Sequence, residues 1–184
     1  VTMVGAFLSA MNIVKEKEIG TIEQLNVTPI RKYQFIIGKL LPFWVIALVE
    51  LAVGLTVAKL VFDTPIEGSL ALIFGFSALY LLVILGFGLF ISTVTETQQQ
   101  AMFVSWFFLV IFILLSGFFT AIENMPAWAQ VVTWFNPVRW FMEVIRMVML
   151  KGAGLADITR HIWIVGAYAL ALNALAVWNY RKTV

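Results

Sequence analysis

Cysteine is absent from this chain of 184 residues, and charged residues are scarce. The lack of cysteine excludes disulfide bonds, thiolate metal sites and thiol nucleophiles. Charged residues make up 12% of the chain and hydrophobic residues 62%, which is more apolar surface than a soluble domain of this size buries. A net charge of +2 gives no reason to expect nucleic acid as a partner. The composition predicts an integral membrane protein.

The chain also lacks the loop G-x-x-x-x-G-K-[ST], which cradles the phosphates of ATP. Gly38 and Lys39 are followed by Leu40, and Tyr33 occupies the place of the first glycine. His161 is the only histidine, and the sequence offers it no partners for a metal site. No cluster of titratable groups at one depth suggests a membrane-embedded enzyme. We therefore expect no catalytic residue, metal or cofactor in this chain.

Four apolar stretches are long enough to cross a hydrocarbon core of about 30 Å, which takes roughly 20 residues of helix. Each backbone polar group in lipid must be satisfied within its own segment, so we predict an all-α polytopic membrane protein. The predicted full transmembrane helices are 40–62, 70–94, 101–122 and 159–180. The opening piece, 1–13, is predicted to be the end of a further helix, because the chain starts with valine. We treat 1–184 as one membrane domain, the C-terminal part of a larger subunit.

The distribution of positive charge predicts the orientation of these helices. The lysines and arginines that flank the four full spans are Lys15, Lys17, Arg31, Lys32, Lys39, Arg181 and Lys182. Because cytoplasmic loops carry an excess of lysine and arginine, both flanks are predicted to be cytoplasmic. An even number of spans between them agrees with this, and we expect a multi-pass membrane protein with its C-terminus in the cytoplasm.

The segment between the opening piece and the first full span, 14–39, is predicted to form a cytoplasmic elbow. Gly20 is suited to end a helix, since glycine adopts the left-handed conformation at little cost. Thr21 and Gln24 have the spacing of a capping box, and Thr28 precedes Pro29 as a cap precedes the first residue of a helix. A short helix at 22–27 follows. It is suited to contact another protein, and the alternative is a solvated loop.

The segment 123–152, predicted to lie outside, is divided by prolines and Gly152 into two short helices, 127–135 and 138–150. At 100° per residue, Arg139, Glu143 and Arg146 fall within an arc of about 60° on an otherwise apolar helix. The pair lies in the membrane interface or dips into the membrane as a re-entrant hairpin. Arg139 and Glu143 are four residues apart, so a local salt bridge and a contact with substrate are both open.

Glu50 stands near the middle of the first full span, where a charge is expensive and usually faces protein or water. It is predicted to line a translocation path or to be a hydrogen-bonded carboxyl at a helix contact.

The small residues Gly75, Ser77, Gly86 and Gly88 on the second full span predict close helix packing. The aromatic residues on the third full span, which predict a subunit contact, lipid contact or core packing, are Trp106, Phe107, Phe108 and Phe112.

Two blocks of sequence resemble the permeases of type-2 ATP-binding-cassette transporters. The first is KEKEIGTIEQLNVTPI, from Lys15 to Ile30, followed by Gly38-Lys-Leu-Leu-Pro42. The second is LSGFFTAIENMPAWAQVVTWFNPVRWFMEVIRMVMLKG, from Leu115 to Gly152, with Asn-Met-Pro, Asn-Pro-Val-Arg and Leu-Lys-Gly in the order of that family. The resemblance covers nearly the whole chain and implies six spans, the first of which this sequence lacks.

The resemblance implies a permease subunit that exports a drug-like, lipid or polysaccharide substrate, with ATP and magnesium bound by partner ATPase subunits. It implies a second permease copy, identical or related, and an outer hairpin that dips into the membrane. The residues expected to couple the permease to the ATPase are Glu16, Glu18, Gly20, Thr21, Glu23, Gln24 and Thr28. The alternative function is an ion-coupled secondary transporter or channel that uses Glu50, which would predict inverted repeats and several intramembrane charges.

Overall fold

The computed structural model describes residues 1–20 and 32–179, which form seven α-helices, one turn of 3-10 helix at Ile122–Asn124 and no β-strand. The helices are α1 (Thr2–Ile19), α2 (Lys32–Phe62), α3 (Leu70–Val94), α4 (Gln98–Leu114), α5 (Ala127–Thr133), α6 (Pro137–Lys151) and α7 (Leu155–Asn179). The prediction of an all-α protein is confirmed for these residues. The predicted short helix at 22–27 and its capping box lie outside them.

The centre of the bundle is α3, which packs between α1 and α7 and also touches α2, α4 and α6. In its most apolar stretch 56% of the residues are buried, against 22% in α7 and 6% in α2. Tyr80 is fully buried on this helix, where its ring stacks on Phe141 with centroids 4.1 Å apart and its hydroxyl is 2.9 Å from that of Thr2. These contacts tie α3 to α6 and to the start of α1.

Two of the predicted small residues allow α3 to approach its neighbours closely. A Cβ atom added at Gly86 would lie 2.7 Å from Nδ2 of Asn173, which donates to the Leu82 carbonyl at 2.9 Å and so joins α7 to α3. A Cβ atom at Gly88 would lie 2.6 Å from the Ala6 carbonyl oxygen and still closer to Oγ of Ser9. Gly75 has open space around it, so the prediction of close packing is confirmed only at the other two glycines.

The opening piece and the first part of the predicted elbow form one continuous helix, α1. Gly20 ends it with φ 78°, and its N–H donates to the carbonyls of Glu16 and Lys17. The predicted stop at Gly20 is therefore confirmed, while the change from membrane helix to elbow that was placed after residue 13 does not interrupt the helix. The helix α2 likewise begins before the predicted span, at Lys32, and continues through Pro42.

Within residues 1–20 and 32–179, three helices contain stretches long and apolar enough to cross a membrane: Ile36–Phe62 in α2, all of α3 and all of α7. The apolar helix α4 is shorter, with 17 residues, and ends at Leu114 rather than at the predicted residue 122. The chain turns there because Gly117 has φ 80° and Oγ of Ser116 accepts the Phe118 N–H. The helices α5 and α6 begin and end within two residues of the predicted bounds, with Gly152 in the left-handed conformation at the end of α6.

We expect Gly88→Ala to destabilise the protein by about 1–3 kcal/mol, because the added methyl group must displace the backbone of α1. The matched control is Gly75→Ala on the same helix, where the methyl group meets nothing within 4 Å. Denaturant titration of the full-length protein in mixed micelles, followed by tryptophan fluorescence, measures both. Equal midpoints for the two variants would show that α1 and α3 are not in close contact.

Candidate functional site

One end of the bundle is held together by the last charged residues of α1. Nζ of Lys17 donates to the carbonyls of Ser92 and, at 3.3 Å, of Thr95. These carbonyls lie in and just after the last turn of α3, where a helix leaves carbonyl groups without intrahelical partners and favours positive charge. Burial lowers the pKa of Lys17 from its ordinary value, an effect that Glu96 nearby partly opposes. Lys17 therefore caps α3 from the side of α1.

The next residue, Glu18, caps the following helix. Its Oε1 accepts the backbone N–H of Gln98 at 2.9 Å, and its Oε2 accepts the side-chain amide of Gln98 at 2.5 Å. Gln98 is the first residue of α4, where N–H groups lack intrahelical partners and negative charge is favourable. The side-chain and backbone hydrogen bonds of Gln98 lower the pKa of Glu18. The carboxylate is therefore ionised at neutral pH, and the contact is lost only as the pH falls through that lowered pKa.

A third charged residue of α1, Glu16, reaches α2. Nζ of Lys39, on α2, forms an ion pair with Oε1 of Glu16. The residues from Glu16 to Glu18, the first two turns of α2 and the turn Thr95–Thr97 together form what we call the Lys-Glu end. Three consecutive side chains of α1 thus bind α2 at Lys39, the end of α3 and the start of α4.

The predicted coupling residues divide between this end and the segment beyond it. Glu16 and Glu18 contact other helices of the same chain, and Gly20 ends α1. The other four, Thr21, Glu23, Gln24 and Thr28, lie outside the described residues. A role of all seven in coupling stays a prediction. Sequence reasoning did not predict that Lys17 and Gln98 take part in contacts between helices. The available signal was the alternation of lysine and glutamate from Lys15 to Glu18, together with the polar turn at 95–100.

A shallow apolar depression of about 490 Å³ lies between α1 and α4. We call it the α1–α4 face, and its lining residues are Phe7, Met11, Met102, Phe103 and Trp106. Of the aromatic residues predicted to matter on this helix, Phe108 and Phe112 pack on Phe87, with ring centroids 5.7 and 5.3 Å away. Trp106 and Phe107 remain more than half exposed, and Phe108 is 40% exposed. Core packing thus applies to Phe112, while the other three aromatic side chains present an open surface.

Glu50 lies on α2, at a depth where a charge is expected to face protein or water. Its Oε2 is buried and has no hydrogen-bond partner among the described residues, while the side chain as a whole is 40% exposed. Both predicted roles of Glu50, in a translocation path or as a hydrogen-bonded carboxyl at a helix contact, stay predictions.

At the opposite end, the polar residues of α6 do not pair as their spacing suggested. Within the described part of the chain no ion pair joins Arg139 to Glu143. Arg139 donates to Oγ1 of Thr133 at 2.5 Å and lies over the rings of Trp134 and Trp140, 5.2 and 4.9 Å from their centroids. Glu143 instead approaches Nε2 of His161 on α7, with Oε2 at 3.5 Å. We call this region, formed by α5, α6 and the start of α7, the tryptophan end.

The tryptophan end is bound to the last turn of α4. Asn136, whose side chain caps α6 by accepting the Val138 N–H, donates through Nδ2 to the Phe112 carbonyl at 2.6 Å. Arg146 donates to the Gly117 carbonyl at 2.9 Å, in the turn that follows α4. These bonds satisfy carbonyl groups at a helix end, where no intrahelical donor is available. The helix α4 is therefore held by charged or polar side chains at both of its ends.

Comparison with known proteins agrees with this architecture. The model of a family described as ABC-2 family transporter protein matches residues 1–178. The probable multidrug ABC transporter permease YbhR of Escherichia coli is 34% identical over 185 positions, covering 100% of this chain and 50% of that protein. The inner membrane transport permease YhhJ of Escherichia coli is 29% identical over 188 positions, also covering 100% of this chain and 50% of that protein.

A more distant relative is the linearmycin resistance permease protein LnrN of Bacillus subtilis, which is 26% identical over 168 positions, covering 91% of this chain and 43% of that protein. No solved structure matches the chain. The chain spans about half the length of the curated relatives it matches.

We expect Lys17→Met to loosen the turn between α3 and α4, because the Ser92 and Thr95 carbonyls lose a charged donor. Loss of a hydrogen bond to a charged group makes local opening roughly tenfold more frequent. Hydrogen–deuterium exchange of peptides that cover residues 92–100 in the full-length protein measures this. Lys15→Met is the matched control, since Lys15 is an exposed lysine of the same helix. Unchanged exchange in Lys17→Met would show that Lys17 does not hold the turn.

Proposed function

The chain belongs to the ABC-2 family of transporter proteins, and on this basis we propose that it forms part of the path by which an ATP-driven exporter moves its substrate. ATP hydrolysis takes place in a partner ATPase, which contacts the elbow between α1 and α2. The observation that carries this proposal is the set of contacts at the Lys-Glu end, where α1 binds α2 at Lys39, the end of α3 and the start of α4. The protein is a transport subunit, without a catalytic role of its own.

The Lys-Glu end would convert a movement of the elbow into a movement of the bundle. The middle of the elbow, residues 21–31, follows directly after Gly20, which stands two residues beyond Glu18, and leads into α2. A displacement of the elbow therefore acts first on the end of α1. Because Glu18 binds the N-terminus of α4 and Lys17 the C-terminus of α3, these helix ends move together with α1. In this scheme Glu23, Gln24, Thr21 and Thr28 contact the ATPase, while Glu16 and Glu18 transmit the motion.

The α1–α4 face is our candidate for the wall of the path. Its methionines and aromatic rings suit apolar ligands of varied shape, since methionine is flexible and polarizable. A second copy, identical or related, would close the path by presenting the same face. This lining favours a drug-like or lipid substrate over a polysaccharide, and YbhR is named as a probable multidrug permease. Glu50, on α2, stays a candidate for a residue of the path.

We place the protein in a bacterial-type inner membrane as a multi-pass subunit with its C-terminus in the cytoplasm. The three apolar helices and the resemblance to YhhJ, an inner membrane transport permease, support a location in the membrane. The orientation rests on the lysines of the Lys-Glu end and on Arg181 and Lys182.

The roles of the elbow and of the Lys-Glu end are separable by two variants of the full-length permease. Glu23→Arg, in the elbow, is expected to abolish co-purification with the partner ATPase, because it reverses a charge at the proposed contact. Lys17→Met is expected to retain the ATPase but to lower the stimulation of its activity several-fold, because the transmitted motion is weakened. Affinity pull-down and ATP hydrolysis in liposomes measure the two effects, with Lys15→Met as a control. Full stimulation with both variants would refute the coupling scheme.

The second copy is testable by cross-linking, because residues 1–184 contain no cysteine. Phe103→Cys, placed in a cysteine-free full-length permease, is expected to give a covalent dimer in membranes with a flexible bis-maleimide cross-linker that can bridge the path, since Phe103 is 67% exposed on the α1–α4 face. Val57→Cys on α2, which is 45% exposed on another helix, is the control and should stay monomeric. A dimer from Val57→Cys alone would place the contact between copies on α2 instead.

A further inference from the structure

A pocket of about 440 Å³ lies at the tryptophan end, between α6 and the segment that runs from Ser116 to Glu123. We call it the charged pocket, because five ionisable side chains line it: Glu123, Arg139, Glu143, Arg146 and Lys151. The other walls include the apolar side chains of Met142, Met147 and Leu150. This mixture distinguishes it from the apolar α1–α4 face and from an apolar groove of about 400 Å³ between α2, α3 and α7.

Several polar groups of the charged pocket have no partner within the described part of the chain. Nε of Arg139 is buried and makes no hydrogen bond. The side chains of Glu123 and Lys151 form no hydrogen bond or ion pair with any described residue. A guanidinium has five N–H donors, and Arg146 directs one nitrogen at the Gly117 carbonyl, so donors remain available. Groups of both signs are thus free to bind a ligand.

The surroundings of the charged pocket place it at the level of lipid headgroups. Trp128 and Trp163 are 69% and 76% exposed at this end of the bundle, and Trp134 is 48% exposed. Tryptophan is enriched at the boundary between membrane and water, where its ring is at headgroup depth. An amphiphile in the surrounding leaflet would therefore bring its headgroup to the charged pocket and its first carbon atoms to Met142, Met147 and Leu150.

We propose that the charged pocket binds a zwitterionic headgroup made of a phosphate and a primary amine. The phosphate contacts the guanidinium groups of Arg139 and Arg146, which suit phosphate because their parallel N–H groups match its oxygens. It also contacts the ammonium group of Lys151, which lines the same pocket. The amine contacts the carboxylate of Glu123, with Glu143 on the same wall. The proposal concerns binding alone and does not depend on ATP-driven transport.

The charges of the lining favour a zwitterion over a ligand of one sign. An anion alone would be attracted by Arg139, Arg146 and Lys151 but would lie beside the carboxylates of Glu123 and Glu143. A cation alone would be attracted by the two carboxylates but would lie beside the three positive side chains. A ligand that carries both charges pairs with both sets, and a primary amine donates hydrogen bonds that a quaternary ammonium group cannot.

Native mass spectrometry of the purified full-length permease tests this with three short-chain probes: dihexanoyl phosphatidylethanolamine, phosphatidylcholine and phosphatidylglycerol. We expect the ethanolamine lipid to bind most tightly. Glu123→Gln and Lys151→Gln should each weaken it roughly tenfold, since a charged contact is lost. Both residues are exposed, so folding should be retained. The matched controls are Glu67→Gln and Arg160→Gln, which remove exposed charges outside the charged pocket and should leave binding unchanged.

Soluble O-phosphoethanolamine distinguishes the source of the headgroup. Binding of this compound, competitive with the ethanolamine lipid, would support a pocket that also accepts the free headgroup, whereas binding of the lipid alone would support a membrane source. The proposal is overturned if phosphatidylglycerol binds as tightly as the ethanolamine lipid, because the site would then select only the anion. It is also overturned if neither Glu123→Gln nor Lys151→Gln changes the affinity.

Discussion

The charged end of α1 is the contact on which the arrangement of the other helices depends. A helix leaves carbonyl groups without partners at its C-terminus and N–H groups without partners at its N-terminus. Where α3 ends and α4 begins, both kinds of group lie close together, and α1 supplies Lys17 to one and Glu18 to the other. Each charge has the sign that the helix dipole favours. Two adjacent residues of α1 therefore supply hydrogen-bond partners to the end of α3 and to the start of α4.

Packing along α3 makes this contact effective. The helices α1 and α7 approach α3 at Gly88 and Gly86, so closely that a methyl group at either glycine would collide with the neighbour. Closely packed interiors have few voids and transmit displacement. The helix α1 is thus held to α3 by apolar contact along its length and by charge at its end. In contrast, α2 is only 6% buried in its apolar stretch, and it is joined to α1 by the ion pair of Glu16 with Lys39 and by an apolar cluster that contains Ile13, Ile36 and Leu40.

Local signals in the sequence predicted the helices and several of their ends, because these depend on residues close in the chain. Gly20 and Gly152 end helices in the left-handed conformation, and Asn136 with Pro137 begins one, as their residue types suggest. Partners distant in the chain were not predictable in this way. The spacing of Arg139 and Glu143 suggested a pair, yet α7 brings His161 to Glu143, and Thr133 with two tryptophans surrounds Arg139. The early end of α4 was missed because residues 115–122 are as apolar as a span.

The helix α4 connects the two charged ends of the molecule. Its first residue, Gln98, is bound by Glu18, and its last turn and the turn beyond are bound by Asn136 and Arg146. Its 17 residues extend over about 25 Å. Arg146 also lines the charged pocket, so a phosphate bound there and the Gly117 carbonyl would share the same guanidinium group. Binding at one end of α4 and displacement at the other would then act on the same helix, and by linkage each would change the free energy of the other equally.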